Sequence, residues 1–373
     1  MTVTQVNSSR SFGPGACGPV DATYIKIANE TGGQPFFLSP SEVAQSARIM
    51  LESSRSDDAL ILWASGTAAD AGRGFDIPVD PSIKRLTVSA TFDSKGGGFA
   101  VVSPDGTPVQ SNMPGDNRVE ETMLNCGRVI SIDAPQAGVW RATVLPSGRF
   151  WFVARGRSDL ALLSADFVRP GGRPGHEGLF KIQGQPVAGR QAVLRVRVSE
   201  PDVQTREFVL FSTQGRPIRG VALTAVDDEE FSGAFQLPFE PFRVAIKGLD
   251  AGGVPYQRLF SGLFHAELVE VRPMSDIQTL APGEETAVTF GVRNVGPRAR
   301  FRLVAADPHR FVIRVEPEVV EIAEGAELSV SVWLRAPMST TEGTAVDLTI
   351  TATSDGTRAS TNSAVQHFTV AKR

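Results

Sequence analysis

Long apolar runs are missing from this chain, and so are most residue patterns that carry chemistry. No stretch approaches the roughly 20 consecutive apolar residues of a membrane span. The opening segment Met1 to Arg10 has no apolar h-region, so no signal peptide is expected within it. Histidine is scarce: His176, His265, His309 and His367 lie far apart, none at metal-ligand spacing to another. No Gly-x-Ser-x-Gly elbow, His-Glu-x-x-His pair, Walker loop or dinucleotide fingerprint occurs. Charge of one sign is lacking too. The chain carries 37 basic against 41 acidic residues, a net −4, which argues against the concentrated positive face of a nucleic-acid binder.

Cysteine is nearly absent. Cys17 and Cys126 are too few for a disulfide scaffold, and they leave two readings open. They could pair, closing a loop worth roughly 4–5 kcal/mol by chain entropy. The blander reading, two unpaired and partly buried thiols, is preferred because residues so distant have no local reason to meet. The glycosylation patterns at Asn7 and Asn29 are short enough to arise by chance.

What is present is the material of a soluble, folded protein: 41% hydrophobic and 21% charged residues over 373 positions, enough for two or three domains. Helical signals are confined to residues 39–54, where Ser39, Pro40 and Glu42 make a capping box with proline at the first helical position. Val43, Ala44, Ala47, Met50 and Leu51 then form an apolar stripe. Ahead of it Tyr24, Ile25 and Ile27 open an apolar run, Gly32-Gly33 turns the chain, and Pro35 to Leu38 reads as a short buried strand.

From about residue 59 the period changes to two. Leu86, Val88, Ala90 and Phe92 alternate with Thr87, Ser89 and Thr91, the pattern of a half-buried strand, and turn signals follow at short intervals. Arg169-Pro-Gly-Gly-Arg-Pro-Gly175 reads as a linker. A second strand set runs to Val271 and a third begins at Arg272-Pro273, each of immunoglobulin-like size. The expected organisation is a strand-turn-helix segment over 1–58 and β-sandwiches over 59–170, 171–271 and 272–373.

Tyr24-Ile-Lys-Ile-Ala-Asn-Glu-Thr-Gly-Gly-Gln-Pro-Phe36 resembles the pattern that closes von Willebrand factor A-type (VWA) domains in hemicentins and related extracellular proteins. Phe75 to Ile83, Leu86-Thr-Val-Ser89, Ser103-Pro-Asp-Gly106 and Ala137-Gly-Val-Trp140 follow in the order seen after that domain in hemicentins. The last two are also similar to VWA-containing chloride-channel regulators. Residues 276–370 resemble an immunoglobulin-type domain common on bacterial surface and secreted proteins. The resemblance implies a mainly β protein of serial immunoglobulin-like sandwiches, preceded by a short remnant of a VWA-type α/β domain. It also implies an extracellular, non-enzymatic setting. VWA domains bind metal through an Asp-x-Ser-x-Ser loop, which this chain lacks, so no metal residue carries over and residues 1–58 are expected to bind none.

Candidate sites are few. Asp227-Asp-Glu-Glu230 is the densest acidic run, but consecutive carboxylates diverge, so a solvated turn is expected; Asp105 is likewise a turn residue. His265 and Glu267 share strand parity without further company. Trp140 shares parity with Ala142 and Val144 and belongs in a core. Trp151 and Trp333 have the opposite parity to their apolar neighbours, which makes them candidates for exposure or for domain interfaces, an apolar seam being favoured over a sugar platform. The expected role is an extracellular interaction or spacer region accompanying a VWA-type or other module. It would have a protein or surface-glycan partner and no cofactor, nucleic acid or membrane span. Two rivals remain: a carbohydrate- or surface-binding accessory region of a secreted hydrolase, and a hydrolase using Cys17 or Cys126 with a distant histidine. The longest polar loop, Ser111 to Thr122, is a candidate recognition loop.

Overall fold

A computed structural model describes residues 3–6, 17, 21–53, 58–68, 72–110, 118–145, 147–199, 204–250, 252–355 and 359–371. The described residues are mainly β, and the helices among them lie in the first part of the chain. Contacts divide it into two units. One comprises Met1–Asp166, Leu194–Ala234 and Pro241–Phe264; the other comprises Phe167–Val193, Phe235–Glu240 and His265–Arg373.

In the first unit, Asp58–Ala68, Ser147–Arg157, Arg85–Phe92, Gly127–Asp133 and Val119–Leu124 form a five-stranded sheet in that spatial order. Arg73–Val79, Gly138–Val144 and Phe99–Val102 form a three-stranded sheet. Phe75, Ile77, Val88, Trp140, Phe150 and Phe152 meet in the core these two sheets share. Phe75 stacks on Phe152 with centroids 4.9 Å apart, so alternate residues of facing strands interdigitate as in a sandwich. A four-stranded sheet, Pro217–Ala222, Gln204–Ser212, Phe242–Leu249 and Pro255–Leu259, supplies a second layer. Its Val209, Phe211, Ala245 and Leu259 pack with Leu60, Trp63, Trp151 and Val153. The five-stranded sheet is therefore covered on both faces. That explains its unbroken apolar runs, Leu60 to Ala64 and Phe150 to Ala154. It also corrects the half-buried expectation for Arg85–Phe92, where Ser89 and Thr91 are buried as well.

The N-terminal part holds two α-helices, α1 (Ala22–Glu30) and α2 (Val43–Ser53), flanking the strand Pro35–Leu38, which pairs in parallel with Val3–Val6. The Tyr24 to Ile27 run, read above as the lead-in to a turn, is helical. Asp21 caps it by accepting a 2.8 Å bond from the Thr23 amide. The capping box at Ser39 forms, with a 3-10 turn over Pro40–Glu42 leading into α2. The inward face of α2 differs from expectation: Val43, Ala44 and Ala47 are exposed, whereas Ile49 is buried with Phe36, Leu38, Leu124 and Val129. The side chains of Met50 and Leu51 lie outside the described residues. The cause is Glu42, whose carboxylate accepts from the Ser39 and Asn125 amides and so turns that edge of the helix toward the sheet.

The second unit holds the immunoglobulin-like sandwich. Val269–Pro273, Glu285–Asn294, Glu327–Arg335 and Val312–Glu316 form one sheet. Thr279–Leu280, Thr361–Val370, Ala345–Ser354, Ala299–Ala306 and Val319–Ile322 form the other. Val288, Phe290, Val292, Leu348 and Ile350 are fully buried between them. The Arg169 to Gly175 run is no linker. Strand Leu162–Gly171 runs into it and pairs with Gly178–Lys181, so the Pro/Gly residues end a strand and turn a hairpin. The Ser111 to Thr122 loop lies outside the described residues as far as 117, and from Val119 it is strand.

Candidate interaction sites

Residues 29–34, from the motif that carried the resemblance, form a polar knot inside the first unit. At the end of α1 the Thr31 amide and hydroxyl both donate to the Ile27 carbonyl, and Gly32 follows at φ 66°. A side chain at Gly32 would meet the Ser261 carbonyl oxygen at 2.6 Å, so both backbone sign and space require glycine. Four backbone carbonyls around this turn are taken. Asn29 accepts from Arg243, Glu30 from the Leu263 amide, Gly32 from Arg155 and Gly33 from the Trp63 indole. Two guanidinium groups thus sit at the negative end of a helix. Burial pushes Arg243 down to about 9, still a cation at neutral pH, and its guanidinium lies 4.3 Å from the Trp63 ring centroid. Gln34 is buried; its amide donates to Thr91 and to the Trp151 carbonyl, and its oxygen accepts from Ser89.

Trp151 lies within this knot, 1% exposed and edge-on to Phe37. It is an internal seam residue and offers no surface to a sugar. It faces away from Phe150 and Phe152, as its parity indicated, and packs against the four-stranded sheet. Cys17 and Cys126 sit beside it in the same cluster and are joined by a disulfide, Cα atoms 6.0 Å apart. The preferred reading of two free thiols is corrected, and so is the cysteine-hydrolase alternative, since neither sulfur is a thiol. What brings the two together is the ladder: the Cys17 amide donates to Asp93, and the Phe92 amide to Cys126. No local pattern could have shown this.

A second buried polar group ties the first unit together. Arg258 and Asp80 are 1% and 0% exposed at their side chains and pair at 2.7 Å. Arg258 also donates to the Leu160 carbonyl, Ser82 and Ser158, so its fork is fully used. Burial pushes the Asp80 carboxyl up, but the bonds from Arg258 and Ser82 outweigh it and hold it below the usual carboxylate range.

At the surface of the first unit, a cleft of about 710 Å³ opens between strands Arg73–Val79 and Gln204–Ser212. Arg73, Arg216 and Lys247 line it. Arg73 donates to the Gln214 carbonyl and side chain and lies over Phe75. Arg216 is placed by the turn at Gly215, φ 71°, where a side chain would meet the Ala64 Cβ at 2.8 Å. Burial, and then the neighbouring Arg216 charge, lower Arg73 from its ordinary value. These cations are far apart in sequence, which is why no motif announced them.

In the second unit Trp333 is half-buried on the outer face of its sheet. Arg314 stacks on it at 4.2 Å from the centroid, and its indole donates to Glu316. This is a solvated charge cluster around one ring. Asp227 accepts from the Glu229 and Glu230 amides, the turn expected of it. Glu267 accepts from the Ser360 hydroxyl and the Thr361 amide. Among the described residues no group of three His, Cys, Asp or Glu could hold a metal ion.

Residues 62–159 match the family model described as the hemicentin galactose-binding domain-like family, and residues 270–372 match the VWA7 Ig-like domain. The chain is 24% identical to mouse Hemicentin-1 over 65% of its length, and 22% identical to the human protein over 70%. It spans about 4% of the length of these curated relatives. A Bacillus licheniformis lipase in propeptide form is similar at 15% identity over 58% of this chain and 45% of that one, with a TM-score of 0.25. A superposition that loose carries no inference. The helix–strand–helix segment precedes both matched regions. The chain therefore carries, in order, a region like the hemicentin galactose-binding-like domain and a region like the VWA7 Ig-like domain.

Proposed function

We propose that this chain is a non-enzymatic, extracellular interaction region of an adhesion or matrix-assembly protein, holding binding surfaces at fixed separations beside another module. What supports the reading is the pairing of those two domain matches on units that are locked internally by buried polar contacts. In the second unit the Gln185 amide donates to Asn362, and Asn362 donates back to the Gln185 and Val269 carbonyls. The Ala188 and Glu267 amides extend the clamp with backbone bonds. In the first unit the knot around residues 29–34 plays the same part. Sheets clamped this way cannot reorient freely, so loops at their ends keep their spacing.

Beads coated with the full, oxidised chain test this. They should be retained on cell-derived extracellular matrix above beads coated with an unrelated β-sandwich protein. Equal retention contradicts the reading.

A further inference from the structure

We infer that the cleft lined by Arg73, Arg216 and Lys247 is a binding site for an anionic saccharide, a sugar ring bearing carboxylate or sulfate. The inference deepens the extracellular interaction reading and rests on it.

Three observations carry it. First, the cations converge. The Gly215 turn sets Arg216 beside Arg73 although the two repel, and Lys247 completes the rim over Phe211 at 5.5 Å. Among the described residues the only carboxylate lining the cleft is Asp76, which pairs with Arg141 at 3.2 Å. Like charges held together by backbone geometry leave a region of positive potential that a bound anion would neutralise. Second, one guanidinium is fixed in advance. Gln214 holds Arg73 through both terminal nitrogens, so less rotamer freedom is lost on binding. Arg216, exposed and without such an anchor, is free to present its fork to a planar carboxylate or a sulfate.

Third, apolar side chains make up much of the remaining wall, beside Thr67 and Gln257. Leu62, Phe75, Pro78, Val139, Phe211 and Pro217 line it, and Val139 is 52% exposed. At about 710 Å³ the cleft falls within the roughly 300–1,000 Å³ of small-molecule sites. A charged corner beside a hydrocarbon wall suits a ring with a C–H face and an acidic substituent. A bare anion would leave the wall unused, and a neutral sugar would leave the cations unmatched.

Calorimetric titration of the full, oxidised chain with a size-defined sulfated, uronic-acid tetrasaccharide at about 0.15 M salt, where exposed charges act over about 8 Å, tests the assignment. Saturable binding is expected, weakened at least tenfold by Arg216→Glu. Arg300→Glu, which changes net charge equally in the other unit, should leave it unaltered. Galactose and inorganic sulfate should each bind far more weakly. No saturable heat, an unaltered affinity in Arg216→Glu, or sulfate binding as tightly as the oligosaccharide would overturn it. So would tighter binding of an oligoglutamate peptide. Matrix retention of the coated beads separates the two failures. If only the saccharide site is wrong, the wild type is retained and Arg216→Glu is retained equally; if the wider reading is wrong, neither is.

Discussion

At the scale of single residues, the first unit depends on buried polar side chains, the Asp80–Arg258 pair above all. Removing one partner of a buried ion pair costs about 3–5 kcal/mol, because it strands the other charge. Asp80→Asn should therefore destabilise the first unit by that order, leaving Arg258 as a cation without a counter-charge. The pH dependence follows from the direction of the Asp80 shift. Its folded value lies below the ordinary one, so the stabilisation is complete above the unfolded carboxylate value, about 4, and is lost as pH falls through the folded value. Thermal melts of both proteins from neutral to strongly acidic pH check this. The gap between the curves should be widest near neutrality and narrow in acid. Curves that stay parallel would show that Asp80 contributes nothing through its charge.

At the scale of elements, α2 shows how a correct boundary can hide a wrong face. The Ser39, Pro40 and Glu42 signal placed the helix start because capping is local chemistry, written in adjacent residues. The inward face was not local. Of the expected stripe Val43, Ala44, Ala47, Met50 and Leu51, the first three are exposed and the last two lie outside the described side chains. Ile49 is buried on the edge where the Glu42 carboxylate accepts from the Asn125 amide. Ile49→Asp should lower the melting temperature of the first unit, as expected for burying a charge among Phe36, Leu38, Leu124 and Val129. Val43→Asp, at a 45% exposed position, should be nearly silent. Fluorescence-monitored melts of the two variants suffice, and equal effects would contradict the observed orientation.

The strands of the immunoglobulin-like domain were legible for the opposite reason. Val288, Phe290 and Val292 alternate and face one core, so period two reports burial directly. In the first unit the same rule put Trp151 on the face opposite Phe150 and Phe152, and that face is a buried seam because the sheet is covered on both sides. The contiguous run Phe150 to Ala154 was the available sign of that. The cationic cleft and the disulfide were invisible in sequence because each joins residues from distant strands.

At the scale of the whole molecule, the sequence motif Asn29 to Gln34 has a structural role that its resemblance did not imply. Its carbonyls and the Gln34 amide tie α1 to the five-stranded sheet through Trp63, Arg155 and Trp151, and to the four-stranded sheet and the residues after it through Arg243 and Leu263. The disulfide adds about 4–5 kcal/mol by constraining the unfolded chain across a separation of 109 residues. The first unit should therefore open as one body, with its N-terminal helices as a working part of it.

Native-state hydrogen exchange on the full, oxidised chain tests that most directly. Peptides covering Ala22–Glu30, Asp58–Ala68, Ser147–Arg157 and Phe242–Leu249 should share one opening free energy. Gly32→Val should lower protection in all of them together while leaving Glu285–Asn294 in the second unit unchanged. Rapid exchange of Ala22–Glu30 beside fully protected sheets, or a loss in Gly32→Val confined to that helix, would contradict it.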